Sequence, residues 1–265
     1  MAMNFDVNNI METIEMIKVH HLDIRTVTLA LSLRDCCSTD SKTTANKIYD
    51  KITRYAKNLA KLADELEDEY SIPIINKRIA VTPVSIITES IDNPDFILIA
   101  KTLDKAAKEV GVDFLGGYSA LVEKGCTEGD RRFMASIPEA LCVTDRVCSS
   151  VNLAGSKAGI NMVGVYKTAE IIKKAAELTK DKDGLGAAKF VCFCNSVTDN
   201  PFMAGASFGI NETECALNVV VLRPGGARLA LVAESSGLCF GSGANTRTKT
   251  PFKQTQTGTP CSRTD

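Results

Sequence analysis

The sequence has no tryptophan and only two histidines, the adjacent His20 and His21. No cysteine and histidine pairs occur at the spacing of a structural zinc site, so we expect no metal of that kind. Lysine and arginine (31) nearly balance aspartate and glutamate (32), which leaves no field of one sign. We therefore expect neither nucleic acid nor an anionic membrane as a partner.

No run of apolar residues reaches the length that crosses a membrane. The N-terminal segment MAMNFDVNNIMETIEM lacks the cationic start and apolar stretch of a signal peptide. These absences predict a cytoplasmic protein. The ten cysteines are then thiols rather than a disulfide framework, and Cys192 and Cys194 are predicted to fill a core.

Helical and strand patterns alternate along the chain. This alternation predicts an α/β domain over residues 1–222, with mostly parallel strands that form an open sheet or a barrel. Helices are predicted at residues 6–19, 44–70, from Asn93–Pro94 to Gly111, from Ser136, and after Asn161 with Met162, Val165, Ala169, Ile172 and Ala176 inward. Strands are predicted at residues 26–33, 72–81 and VDFL before Gly116–Gly117, then at RVCSSVNL, KFVCFCNSV and CALNVVV.

Polar residues recur where the predicted strands end. Ligands of parallel α/β folds bind beyond the carboxyl ends of the strands. In this chain those ends carry Thr82, Ser119, Asn152 and the pair Asp199–Asn200. We therefore expect a ligand-binding site built from these side chains.

The segment DRVCSSVN is a strand with one polar face. Because side chains alternate along a strand, Arg146, Cys148, Ser150 and Asn152 share a face. A face this polar does not pack under a helix without partners, and in a barrel it would line the interior.

Two residues of the preceding strand 72–81, Asn76 and Arg78, share a face with Thr82. The guanidinium groups of Arg78 and Arg146 could therefore converge on a small anionic metabolite. The alternative is a buried network of ion pairs and hydrogen bonds.

Cys148 is the one candidate catalytic residue. Arg146, two positions away on the same face, would favour a thiolate, which suits a nucleophile or a redox thiol. The alternative is a small buried thiol that only fills space. The residues indicate no particular cofactor.

Several segments in order closely resemble the uncharacterised protein family UPF0210, also called DUF711. They lie within about residues 5–220 and read INKRIAVTPVSII, KTLDKAAKEVGVDFLGGYSALVEKG, SIPEAL, DRVCSSVN, KAGINM and DNPFMAGA. The resemblance implies part of a barrel of the pyruvate formate-lyase type, as in glycyl radical enzymes, but no established activity. The chain departs from glycyl radical enzymes because RVCSS lacks the glycine that holds the radical. It departs from the family at Phe208, where a histidine is usual.

Residues 223–265 are predicted to be a disordered tail that does not belong to the family, because they combine many threonines with little apolar content. A reading-frame change or truncation near Leu222 would explain such a tail, and a natural short variant is the alternative. The strand CALNVVV would then be an exposed edge, which predicts self-association or a homo-oligomer.

Three functions stay open at this point. The chain is an enzyme-like barrel that binds a small anionic metabolite, a non-catalytic sensor or scaffold, or a non-functional fragment. Radical catalysis is less favoured than any of these three functions, because the sequence lacks the glycyl radical motif.

Overall fold

The protein has a sheet with helices on one of its faces. The structure, a computed structural model, describes residues 23–70, 74–202, 205–212 and 214–222 together with Met11 and Ile14. The predicted N-terminal helix and the predicted tail therefore lie almost wholly outside the described residues. Among the described residues, no helix is long and apolar enough to cross a membrane.

The seven described strands form one mostly parallel sheet, as predicted. Its order is β5-β4-β3-β2-β1-β7, and β6 pairs with β4. Strands β1 to β4 and β6 run parallel, whereas β5 and β7 are antiparallel to their neighbours. The strands are β1 (Asp23–Leu31), β2 (Ile74–Val81), β3 (Phe114–Leu121), β4 (Val147–Gly155), β5 (Gly159–Ile160), β6 (Phe190–Cys194) and β7 (Cys215–Leu222).

The helices alternate with the strands along the chain and bury their apolar sides against one face of the sheet. Ile79, Val81, Leu115 and Val151 of the strands share a single core with residues of five helices. The helices are α1 (Ser41–Ala56), α2 (Leu59–Tyr70), α3 (Val84–Ile87), α4 (Phe96–Glu109), α5 (Glu128–Val143), α6 (Met162–Leu178) and α7 (Leu185–Ala188), with 3-10 turns at Arg34–Cys36 and Lys180–Lys182.

Local capping corrects several predicted helix boundaries. The predicted helix 44–70 is two helices, and Leu62 and Leu66 of the second are 52% and 48% exposed. After the break, α2 instead buries the small Ala63 against β1 and β2. Helix α4 is capped by Asp95, whose side chain accepts a hydrogen bond from the Leu98 amide (2.9 Å), and not by Asn93.

Helix α5 begins well before the predicted start at Ser136. Thr127 and Asp130 form a capping box, in which each side chain accepts a hydrogen bond from the other's backbone amide. Pro138 consequently lies inside the helix rather than at its first turn. A proline in a helix interior cannot donate to the carbonyl four residues earlier, here that of Met134.

Strand β3 continues through the two glycines that were predicted to end it. Gly117 has a φ of 125°, and a Cβ there would lie 2.4 Å from a methyl group of Val81. The pairing of β3 with β4 shifts register between Gly116 and Tyr118. This irregularity turns Tyr118 into the helix-side core and leaves Ser119 on the opposite face.

The predicted inward face of α6 is exposed. Met162 is 67% exposed, whereas Gly164, Thr168, Ile171 and Ala175 are the buried residues. Small residues decide the orientation, because a Cβ on Gly164 would lie 3.0 Å from Leu153 of β4. Cys192 and Cys194, predicted to fill a core, are also exposed, since β6 lies at the edge of the described sheet.

The start of β4 is fixed by the buried carboxylate of Asp104, which is 5% exposed. Its Oδ1 accepts hydrogen bonds from the backbone amides of Asp145 (2.9 Å) and Arg146 (2.7 Å). Its Oδ2 lies 2.7 Å from Nζ of Lys108, which also pairs with the exposed Asp145. Asp104 therefore ties α4 to the strand that carries Cys148.

We expect Asp104→Ala to lower the free energy of unfolding by about 3 kcal/mol, because it removes a buried carboxylate and leaves two half-buried amides without their acceptor. Asp145→Ala is the control, because it removes the exposed carboxylate that also pairs with Lys108. It should change the free energy of unfolding by less than about 0.5 kcal/mol. Urea denaturation measures both. Equal effects of the two variants would show that the amides of Asp145 and Arg146 find another acceptor.

Candidate functional site

The second face of the sheet is polar, and no described helix packs on it. Ala80 of β2, Gly116 of β3 and Cys148 of β4 lie side by side across it. Along β4 the same face continues with Ser150 and Asn152, both buried. Three of the four residues of the predicted polar row, Cys148, Ser150 and Asn152, thus lie on the face away from the helices.

The segment after β6 folds over the carboxyl end of this face. The Asp199 carboxylate accepts hydrogen bonds from the backbone amides of Ile210 (2.8 Å) and Asn211 (3.1 Å). The carbonyl of Asn200 accepts one from the amide of Ser207 (3.0 Å). Asp199 and Asn200 thus tie together the described residues 199–202 and 205–211, which we call the cover loop.

The cover loop rests on the ends of the central strands. The Ser119 hydroxyl donates to the carbonyl of Ala206 (3.0 Å). The Thr82 hydroxyl accepts from the Leu33 amide (2.9 Å) and lies beneath Gly209, where a Cβ would be 2.7 Å from the Thr82 hydroxyl oxygen. Phe208 is buried on Ala30 and Ala80 in the same region. The structure thus brings Thr82, Ser119, Asp199 and Asn200 to one edge. Ser119, Asp199 and Asn200 hold the loop by hydrogen bonds, whereas Thr82 holds the segment after β1.

Asn152 differs from these residues because one of its polar atoms has no partner. It is 7% exposed, and its Nδ2 donates to Oε2 of Glu123 (3.2 Å). The Glu123 carboxylate can only accept, which fixes the orientation of the amide. Oδ1 of Asn152 is buried without a hydrogen-bond partner among the described residues. Glu123 was missed because its contact with Asn152 joins residues 29 positions apart in the sequence.

The two arginines do not converge. Arg146 precedes β4, and its guanidinium donates to the carbonyls of Ala107 (3.1 Å) and Val112 (2.8 Å). Arg78 lies in the middle of β2, and its guanidinium carbon is 5.8 Å from the centre of the Phe114 ring. Asn76 lies two residues nearer the start of β2, farther from Thr82 and the end of the strand.

Cys148 is a buried thiol, 6% exposed. Burial raises its pKa to about 11, and the positive charges of Lys189 and Arg78 offset only part of that effect. Arg146, the cation expected to activate Cys148, is not among the charges that lower the pKa of this thiol. At neutral pH the group is the neutral thiol, the form that is a poor nucleophile.

Lys189 is a second residue that the sequence did not indicate. Its buried ammonium group donates to the carbonyls of Leu141 (3.0 Å) and Thr144 at the end of α5. Burial lowers the pKa of Lys189, and the carboxylates of Asp104 and Asp145 act in the opposite direction. A cation at the C-terminal end of a helix satisfies carbonyls that have no intrahelical partner. Lys189 therefore also places positive charge close to Cys148.

Comparison with known proteins places the chain in a family. The family model described as "Uncharacterised ACR (DUF711)" matches residues 15–264, so the chain is a mostly parallel α/β protein of the UPF0210 (DUF711) family. That match continues past residue 222, where the resemblance was expected to end.

Three relatives illustrate the similarity. The chain is 57% identical over 97% of its length to a UPF0210 protein of Thermoanaerobacter sp. (strain X514) and 53% identical over 96% to one of Desulforamulus reducens. It is 56% identical over 94% to a UPF0210 protein of Acetivibrio thermocellus. The chain spans only 55–56% of the length of these relatives.

We expect Cys148 to resist iodoacetamide at pH 7.5 in the folded protein, while the exposed Cys194 and Cys215 react. Because only the thiolate reacts, the rate at Cys148 should rise about tenfold per pH unit towards pH 11. Mass spectrometry of peptides from a pH series measures each site separately. A rate at Cys148 that levels off near pH 8 would contradict the buried neutral thiol.

Proposed function

We propose that the protein binds a small anionic metabolite on the polar face of the sheet, towards the carboxyl ends of its strands. The observation that supports this most is the positive potential at Cys148, where Arg78 and Lys189 both act to lower the pKa of a thiol that burial raises. Ser150 and Asn152, farther along the same strand, offer polar groups to such a ligand. The edges of this face would be formed by Asn76, Thr82, Ser119, Asp199 and Asn200. Arg146 would stabilise the start of β4 through its hydrogen bonds to backbone carbonyls.

In this proposal the sheet is part of a cytoplasmic α/β barrel of the pyruvate formate-lyase type. Polar side chains on a sheet face without helices suit the interior of such a barrel. The raised pKa of Cys148 favours binding over thiol catalysis, so the sensor or scaffold function gains support relative to the enzyme. A non-functional fragment is the remaining alternative, and it predicts no specific ligand.

We expect phosphate or a small dicarboxylate from a panel of metabolites to raise the melting temperature of the chain. Arg78→Gln should weaken this binding at least tenfold, because a charge-assisted hydrogen bond to an anion contributes about 1.5–3 kcal/mol. Scanning fluorimetry with increasing ligand concentration measures the affinity.

Two variants serve as controls for that experiment. Lys77→Gln removes the neighbouring charge on the opposite face, where Lys77 pairs with Asp64, and should leave the affinity unchanged. Cys148→Ser should also retain binding. Loss of affinity in Lys77→Gln equal to that in Arg78→Gln would refute the location of the site, and the absence of any ligand would favour the fragment.

We also propose that the chain self-associates through β7. The strand pairs with β1 on one side and with no described strand on the other, and Leu217 is 59% exposed. An uncharged unpaired edge favours pairing with a second copy.

Leu217→Lys should therefore shift the chain towards the monomer in sedimentation velocity at micromolar concentration. The matched variant Leu185→Lys changes an equally accessible leucine (51% exposed) on α7 and should leave association unchanged. An unmodified chain that sediments as a clean monomer would disprove the proposal.

A further inference from the structure

A groove separates helices α5 and α6 on the outer side of the protein, across the sheet from the polar face. Its volume is about 370 Å³. Binding sites for small molecules typically enclose about 300–1,000 Å³. The groove is therefore large enough to hold a small ligand, and it is distinct from the proposed anion site.

The two helices lie side by side in the same direction. Both begin near the end of β3, where Asn161, the N-cap of α6, donates to the carbonyl of Val122 (2.7 Å). Near their other ends the Cys142 thiol lies 3.6 Å from the carbonyl oxygen of Leu178. Each helix contributes one row of side chains to the groove. The lining consists mainly of Arg131, Met134 and Pro138 from α5, with Val163, Lys167 and Lys174 from α6.

The floor of the groove is apolar and lies close to the core, with Met134 3% and Ile171 5% exposed. Met134, Pro138 and Ile171 form its inner surface, and Val163 at one end is 65% exposed. From Val163 to Lys174 the helix rises about 16 Å, at 1.5 Å per residue. An unbranched hydrocarbon chain fits a trough of this length and composition, and its burial would remove apolar surface from water.

The rim carries more positive than negative charge. Arg131, Lys167 and Lys174 face one carboxylate in the lining, that of Glu170. Lys167 pairs with Glu170 (3.0 Å), and Arg131 pairs with Glu128 (3.4 Å) outside the groove. Lys174 forms no ion pair with a described residue. The surplus charge at that end suits a single anionic group.

We propose that this groove binds a free medium-chain fatty acid. The carboxylate lies at Lys174, and the hydrocarbon chain follows α6 towards Val163 over Met134 and Pro138. A short carboxylate would gain only the charge interaction, and an uncharged alcohol of equal length only the apolar contact. The groove therefore selects a ligand that has both parts.

Titration calorimetry of the full chain with decanoate, below its micellar concentration, tests this site. We expect saturable binding at a ratio of one to one, with decanol and butyrate each at least tenfold weaker. Lys174→Glu should weaken decanoate binding at least tenfold. Lys173→Glu is the matched control, because it makes the same change one residue earlier, outside the groove lining.

Val163→Asp provides an independent readout at the apolar end of the groove. Because Val163 is largely exposed, the variant should keep the melting temperature while it weakens decanoate binding about tenfold. Equal losses in Lys173→Glu and Lys174→Glu, equal affinity for decanol and decanoate, or no saturable binding would each overturn the proposal. None of these outcomes depends on Arg78 or the polar face.

Discussion

The packing of a single layer of helices against one face of the sheet is the constraint on which the rest of the structure depends. Ile79, Leu115, Val147 and Val151 supply the apolar face, and the helices cover it completely. Because side chains alternate along a strand, the residues between them are committed to the other face. The positions of Arg78, Cys148 and Asn152 thus follow from the burial of their neighbours.

The cover loop shows how polar residues at strand ends can serve structure. Ser119, Thr82 and Asp199 were expected to contact a ligand, but their hydroxyl and carboxylate groups are already satisfied by loop and strand backbone. A ligand that displaced these contacts would have to replace several buried hydrogen bonds. Unfilled hydrogen-bonding capacity remains at Asn152, which lies opposite the last residue of β3, and the positive charge lies near Cys148.

The sequence predicted the strands well, because their alternation depends only on which face is buried. The face of α6 was predicted wrongly, since its largest apolar residues are exposed and the small Gly164 allows the close approach to Leu153. Helix starts were misplaced where a cap by Asp95 or Thr127 decided them. The partners Glu123 and Lys189 could not be predicted, because their contacts join residues that are 29 and 48 positions apart.

The polar face costs stability, and that cost favours a binding role. Oδ1 of Asn152 and Nδ2 of Asn218 are both buried without a hydrogen-bond partner among the described residues. Each such atom costs about 1–3 kcal/mol, whereas apolar side chains of similar size would remove the penalty. A sheet that served only as a scaffold would gain from that exchange. Strands β4 and β7 keep these amides on the face that also carries Arg78 and Cys148, as expected for a surface whose hydrogen bonds are completed by a bound molecule or by ordered water.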